Sequence, residues 1–432
     1  MCNERNLIIF EQVSISSSNR SDMILFPFDL AIKFDRILSV IGVSGSGKTT
    51  FLKLVMNLLR PESGWITEGK IKKMPGLRIG WIAQNPSLQL FKNFVFEEFY
   101  PLTRKESENC LSKFGLDYLA AKRCCELSQG EKTLIVFAVA MSRNINLLVM
   151  DEVMVNLSAS RRDNLKMWLK NFVSAGGSVI SVEHTTDMAE ISDDIIYIDQ
   201  GRVQPVSGEV ARSILAVDFS GLPLQKDTTT CNSECLNISG LSDTGIVSSA
   251  LNPLELSIKK GEFIGLKGDN GTGKTTLLNI IAGLIKPGRG RITCNGKKLN
   301  GLKSRLGKMS FVSHEPLNQL FAATVSDEFD FTRCAFDGGA VKLLKDFNLE
   351  TLSDRGIYTL SYGEQQRLVL SVNIVSPADI LLLDEPTYGM DKQNMRVLIE
   401  TLLSEKKKGR TIIMASHDES LLNHLADRII SI

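Results

Sequence analysis

One phosphate-binding loop occurs twice in this chain, at Gly42-Val43-Ser44-Gly45-Ser46-Gly47-Lys48-Thr49 and at Gly268-Asp269-Asn270-Gly271-Thr272-Gly273-Lys274-Thr275. Both read GxxxxGKT. In such a loop, glycine geometry aims backbone N–H groups at phosphate oxygens. The lysine reaches the β- and γ-phosphates, and the threonine hydroxyl serves a Mg²⁺ ion. Short apolar runs, Ile37–Ile41 and Phe263–Leu266, precede the loops and read as buried strands. Apolar residues at helical spacing follow: Leu52, Val55, Met56 and Leu59, then Leu278, Ile281, Ala282 and Ile285. Strand, loop and helix are the context this motif requires. The helix N-terminus adds positive potential beneath the phosphates.

The duplication extends beyond the loops. Lys274 follows Lys48 by 226 residues (274 − 48), whereas Ser361 follows Ser128, Asp384 follows Asp151, and His417 follows His184 by 233 (361 − 128). A period of this size marks duplicated domains, since structural repeats recur every ~20–50 residues. A length of 432 residues suits two domains, each able to bury its own core. The expected limits are 1–216 and 235–432. A linker at 217–234 is marked by Gly221, Pro223 and Thr228-Thr229-Thr230.

Each copy carries an apolar strand ending in two acids, Leu147–Glu152 and Ile380–Glu385. Asp151 and Asp384 are expected to hold Mg²⁺ beside the loop, and Glu152 and Glu385 to activate the attacking water. Leu127-Ser128-Gln129-Gly130-Glu131 and Leu360-Ser361-Tyr362-Gly363-Glu364 each open a predicted helix, where a serine and a glycine can meet an anion. His184 and His417 each lie 33 residues beyond the acidic pair (184 − 151).

These motifs together resemble the ATP-binding-cassette (ABC) ATPases, and the resemblance spans the whole chain. It implies an α/β fold of two tandem P-loop domains, each with a RecA-like core and a helical subdomain bearing the LSGGQ-type signature. ATP and Mg²⁺ are the implied cofactors. Nucleotide contacts are expected from Gly42, Gly45, Gly47, Lys48, Thr49, Thr50, Ser128 and Gly130, and from Gly268, Gly271, Gly273, Lys274, Thr275, Thr276, Ser361 and Gly363. The metal falls to Thr49, Gln84 and Asp151, and to Thr275 and Asp384. Catalysis falls to Glu152, Glu385, Gln84, His184 and His417. The family pairs its domains head to tail, and one chain here carries both.

A narrower resemblance rests on Gln84-Asn85-Pro86-Ser87-Leu88-Gln89-Leu90-Phe91. This QNPxxQLF run is similar to the Q-loop of energy-coupling-factor (ECF) importer ATPases, and His314-Glu315-Pro316-Leu317-Asn318-Gln319-Leu320-Phe321 repeats it with His for Gln. The resemblance implies a membrane scaffold subunit docking on residues 90–100 and 320–331, and a substrate-binding membrane subunit. The cargo would be a vitamin, a precursor or a transition-metal ion. The alternative is a ribosome-associated tandem ABC ATPase, which typically carries a long charged linker that this chain lacks. The halves also differ at Val153-Met154 against Pro386-Thr387, and at Ser158 against Asp391. The resemblance pairs His314 with the Ser158 departure at one composite site, so the two ATP sites are expected to be unequal.

A net charge of +1 gives no electrostatic footprint for nucleic acid. The basic runs at Lys406-Lys407-Lys408 and at Lys297, Lys298, Lys303, Arg305 and Lys308 are expected to be solvated surface. No stretch approaches about 18 apolar residues, and the N-terminus does not read as a signal peptide. The eight cysteines lack metal spacing and are expected to be reduced thiols. The expected location is peripheral, on the cytoplasmic face of the membrane.

Overall fold

The computed structural model describes residues 6–17, 20–43, 45–59, 64–183, 186–215, 233–242, 253–268, 272–331, 338–387 and 389–432. They fall into two compact units divided at Val217/Asp218.

In the first unit, a six-stranded sheet runs in the order Ile79–Ile82, Leu147–Asp151, Ser178–Val182, Ile37–Gly42, Asp194–Asp199, Arg202–Pro205. Its pairs are parallel except the last. The strands Ile37–Gly42, Leu147–Asp151 and Ser178–Val182 are buried at every residue. That is how continuous apolar runs behave when both faces of a parallel sheet are covered. A separate antiparallel sheet joins Arg20–Lys33, Asn6–Ser17 and Trp65–Lys73.

The second unit repeats the plan. Its parallel sheet runs Met309–Val312, Ile380–Asp384, Thr411–Ala415, Phe263–Lys267, Arg428–Ser431. Its antiparallel sheet runs Leu254–Lys259, Glu234–Ser242, Arg289–Cys294, Lys297–Lys298.

Both signature runs open helices, Gln129–Ser142 and Tyr362–Val375. Ser128 and Ser361 are the N-caps, and Glu131 and Glu364 close reciprocal capping boxes. The S-x-x-E spacing dictates this arrangement, because two orphan backbone donors are satisfied at once. The first of these helices packs Leu134, Phe137 and Ala138 into a core shared with Phe99, Leu111 and Met150. Around Phe137, Phe114 stands edge-on and Trp168 is stacked.

Several expectations need correcting. The helices after the phosphate loops span Lys48–Val55 and Lys274–Ala282, so Met56, Leu59 and Ile285 lie beyond them. Lys406 and Arg305 are buried rather than solvated. Lys406 lies on the inward face of helix Lys392–Lys407 and pairs with Asp427 at 2.6 Å. The Arg305 guanidinium caps the loop-following helix, donating to the carbonyls of Ile281 (2.5 Å) and Ile280 (3.3 Å) and, outside that helix, to that of Gly301 (2.7 Å). A cation there meets the negative end of the helix dipole. Most of the linker, 217–232, lies outside the described residues. Among them, Cys110, Cys124, Cys125, Cys235 and Cys294 are free thiols, and no helix is long and apolar enough to cross a membrane.

Candidate functional site

In each unit the sheet delivers the motif residues to its carboxyl-terminal edge, where ligands of open α/β sheets bind. Gly42 ends one loop strand and Gly268 follows the other. Gly47 and Gly273 sit at the helix N-caps with φ of 105° and 107°, a left-handed conformation that disfavours any side chain. Gly45 shares the left-handed region, and Gly271 lies outside the described residues. The Lys48 ammonium donates to the carbonyls of Gly42 (2.9 Å) and Val43 (2.8 Å), and Lys274 to that of Gly268 (2.6 Å). Thr49, Thr50, Thr275 and Thr276 form the first turns of the following helices.

The Thr49 hydroxyl donates to Asp151 Oδ2 at 3.4 Å, and that of Thr275 to Asp384 Oδ1 at 3.2 Å. Hydroxyl and carboxylate therefore meet twice beside a phosphate loop. Asp384 Oδ2 is buried without a hydrogen bond. This oxygen-rich set fits Mg²⁺, which binds through one or two protein groups, phosphate oxygens and water. Among the described residues, no group of three or more His, Cys, Asp or Glu side chains could hold a metal by itself. The phosphates must supply the remainder.

Glu152 and Glu385 share an uncommon backbone, with φ of 52° and 48°. Non-glycine residues held there carry strain, which concentrates at functional positions. The Gln84 amide donates to Glu152 Oε2 at 2.6 Å, so in this structure Gln84 engages the glutamate rather than the metal-side aspartate. In the second unit His417 flanks Glu385: its N–H donates to Oε2 at 3.2 Å, and Nε2 lies 3.3 Å from Oε1. His184 lies outside the described residues. His314 approaches the other acid, with Nδ1 3.4 Å from Asp384 Oδ2. The two atoms lack the alignment of a hydrogen bond. The Asp384 carboxylate nevertheless raises the imidazole pKa above its ordinary value, against the opposing effect of burial.

Burial, then repulsion from Glu152, pushes Asp151 up to about 7. Burial, then repulsion from Asp384, pushes Glu385 up to about 8. An unfolded chain releases these protons near pH ~4. Between that range and pH 7–8 the folded chain binds more protons, so this contribution to stability is full at low pH and is lost as pH rises. In chelator, the thermal midpoint of Asp151→Asn minus that of the unsubstituted chain is therefore expected to grow from pH 5 to pH 8. A difference independent of pH would show that burial does not hold that proton.

Two Q-loop residues, Gln89 and Gln319, take a structural part the motif did not reveal, and two residues outside the motifs, Glu98 and Glu328, join them. Gln89 accepts from Ala83 N (2.7 Å) and donates to the Trp81 carbonyl (2.9 Å). Gln319 does the same with Ser313 N (2.9 Å) and the Phe311 carbonyl (2.7 Å). Buried Glu98 accepts from Lys92 N at 2.6 Å, and buried Glu328 from Phe321 N and Ala322 N, both at 2.8 Å. These clamps present Phe91 and Phe321, which are 81% and 70% exposed. Their signal was the repeat itself, since each pair is offset by 230 (319 − 89 and 328 − 98). Phe99 and Phe329 are core, while Phe94 and Phe96 are half-buried and stacked on each other. Glu183 is fully buried and accepts from the N–H groups of Val153 (3.1 Å) and Met154 (3.2 Å), bracing the turn after Glu152.

The signature glycines are buried, and a Cβ on Gly363 would meet the Gly389 carbonyl at 2.5 Å. Asp391 caps helix Lys392–Lys407 by accepting from Asn394 N, whereas Ser158 makes no such cap for Ala159–Ser174.

A family model described as ABC transporter matches residues 25–155 and 251–388. A protein of Methanosarcina acetivorans, provisionally named an ABC transporter ATP-binding protein, is 25% identical over 93% of this chain and 84% of its own length. YkoD of Bacillus subtilis, provisionally named an HMP/thiamine import ATP-binding protein, is 24% identical over 98% of this chain and 89% of its own length. Among solved structures, the complex of archaeal ribosomal stalk protein aP1 with ribosome recycling factor aABCE1 aligns at a TM-score of 0.62. The identity is 20%, over 97% of this chain and 87% of that one, and this likeness bears on the fold.

Proposed function

The chain belongs to the ABC transporter family as a tandem ATPase, and from that premise we propose that it is the ATP-hydrolysing motor of an ECF-type importer. It would act from the cytoplasmic face of the membrane, with a scaffold subunit and a substrate-binding subunit in the bilayer. Its cargo would be a vitamin, a vitamin precursor or a transition-metal ion. The observation that carries this reading is the pair of clamped, exposed phenylalanines, Phe91 and Phe321, each at the end of its Q-loop run. A solvent-facing aromatic held rigid by backbone hydrogen bonds is shaped to anchor in a partner's pocket. Phe331, also exposed, lies 6.0 Å from Phe321 and enlarges the second anchor. The naming of YkoD for HMP/thiamine import supports the vitamin class.

Lys48 and Lys274 would neutralise the β- and γ-phosphates. Thr49 with Asp151, and Thr275 with Asp384, would hold Mg²⁺. When bound, Mg²⁺ neutralises charge developing on the phosphate oxygens. Glu152 would take a proton from the attacking water while the Gln84 amide fixes its carboxylate. Ser128, Gly130, Ser361 and Gly363 would supply hydroxyl and N–H donors to phosphate.

Affinity capture of the chain from detergent-solubilised native membranes tests the reading. A polytopic membrane protein is expected to accompany it. Phe91→Ser with Phe321→Ser is expected to weaken that association by roughly 2 kcal/mol per anchor, with the melting temperature unchanged. Co-sedimentation with ribosomes, and none with membranes, would overturn the proposal in favour of the ribosome-associated class.

A further inference from the structure

The two halves differ together at three neighbouring positions. Gln84, Asn85 and Gln129 in the first correspond to His314, Glu315 and Tyr362 in the second (offsets 314 − 84 and 362 − 129). In the structure these replacements act on one ring. The Tyr362 hydroxyl donates to the His314 carbonyl, fixing its backbone. Glu315 Oε1 lies 3.8 Å from His314 Nε2, while its Oε2 takes the Asn318 amide at 2.6 Å. Each ring nitrogen thus faces a carboxylate, and a metal taking the place of the Nδ1 proton would leave the remaining proton on Nε2, toward Glu315. Nδ1 and Asp384 Oδ2 are both shielded from solvent and make no hydrogen bond, 3.4 Å apart. Asp384 Oδ1 is occupied by the Thr275 hydroxyl at 3.2 Å.

Two ligands bound at ~2.1 Å on adjacent corners of an octahedron stand about 3 Å apart. The nitrogen and oxygen are close to that spacing. A metal-bound histidine commonly directs its other ring nitrogen at a carboxylate, as His314 does with Glu315. The amide at Gln84 can offer a metal only oxygen, which suits Mg²⁺. Imidazole suits first-row transition dications, which gain more from nitrogen than Mg²⁺ does.

We propose that His314 is a metal ligand of the second nucleotide site, which therefore takes ATP with a transition dication such as Mn²⁺ in preference to Mg²⁺. This rests on the reading above that the second phosphate loop binds ATP. The first site, with Gln84, keeps the ordinary preference. Thr275, Asp384 and the phosphates complete the coordination.

The test uses the full chain carrying Lys48→Ala, so that nucleotide loads at the second loop, with ¹⁵N-labelled histidine. It is loaded with Mn²⁺ and ADP, freed of unbound metal, and examined by pulsed EPR. Couplings of Mn²⁺ to both ³¹P and histidine ¹⁵N are expected. His314→Gln is expected to abolish the ¹⁵N coupling and to lower the ratio of Mn²⁺ to Mg²⁺ affinity by roughly tenfold. A ³¹P coupling without ¹⁵N coupling overturns the proposal while leaving the ATP site standing. A ¹⁵N coupling that survives His314→Gln assigns the ligand elsewhere and overturns it too. No ³¹P coupling overturns both the proposal and the nucleotide-site reading.

Discussion

Replacing both loop lysines, Lys48→Ala with Lys274→Ala, is expected to reduce Mg-ATP turnover to background, measured in the complex with membrane subunits that the proposed function implies. Each ammonium is buried in its loop and bonded to loop carbonyls within 2.9 Å. It is the cation that the β- and γ-phosphates would meet there. Phosphoryl transfer depends almost wholly on positioning and charge stabilisation. Loss of such a contact typically costs on the order of 10²–10³ in rate, and here it is lost in both halves. Because alanine also removes the lysine's hold on the loop, circular dichroism and a melting curve should accompany the assay. Wild-type turnover from a folded double variant would overturn the motor reading.

The second large effect is an asymmetry. In buffer containing only Mg²⁺, Glu152→Gln is expected to remove most steady-state turnover, and Glu385→Gln much less. Removing a general base costs on the order of 10²–10⁴ at its own site. The difference lies in what surrounds each acid. Glu152 accepts a 2.6 Å hydrogen bond from Gln84. Beside Glu385, an imidazole replaces that amide and approaches Asp384 instead. Before metal binds, burial and repulsion from Asp384 push Glu385 above its ordinary carboxylate range, which opposes its service as a general base. Equal losses from the two single variants would show that the sites contribute equally, with turnover depending on both.

Much of this was legible because the informative signals are local. A glycine loop, an S-x-x-E cap and an apolar strand ending in two acids are each contained in a few residues. Each folded as its spacing dictates. What escaped depends on partners far away in sequence. Lys406 reads as one of three solvated lysines, yet its partner Asp427 lies 21 residues on, beyond the strand Thr411–Ala415 and the helix Glu419–Leu425. Arg305 reads as a surface cation because the carbonyls it caps belong to an earlier helix. The aromatics after the Q-loops could not be sorted by composition. Phe91 and Phe99 differ only in whether a buried glutamate clamps the chain outward or the core takes the ring. Pattern fixed the starts of the loop helices better than their ends, since apolar spacing continues past the left-handed residues that close them, Asn57 (φ 61°) and Gly283 (φ 82°).

The left-handed glutamates also bear on how the two halves have aged. A non-glycine residue at φ near 50° costs the fold about 1–3 kcal/mol, and glycine in its place would recover part of that. A lineage selected only for robustness would drift toward glycine at 152 and 385, and a thermostability screen would collect inactive chains there first. The halves have parted at the Q-loop, after the acidic pair and at the helix cap, yet both still carry this acid. Copies under no demand for turnover would have little reason to keep so awkward a residue twice. On the proposed function, the second half is a working engine with altered fittings rather than a relic of the duplication.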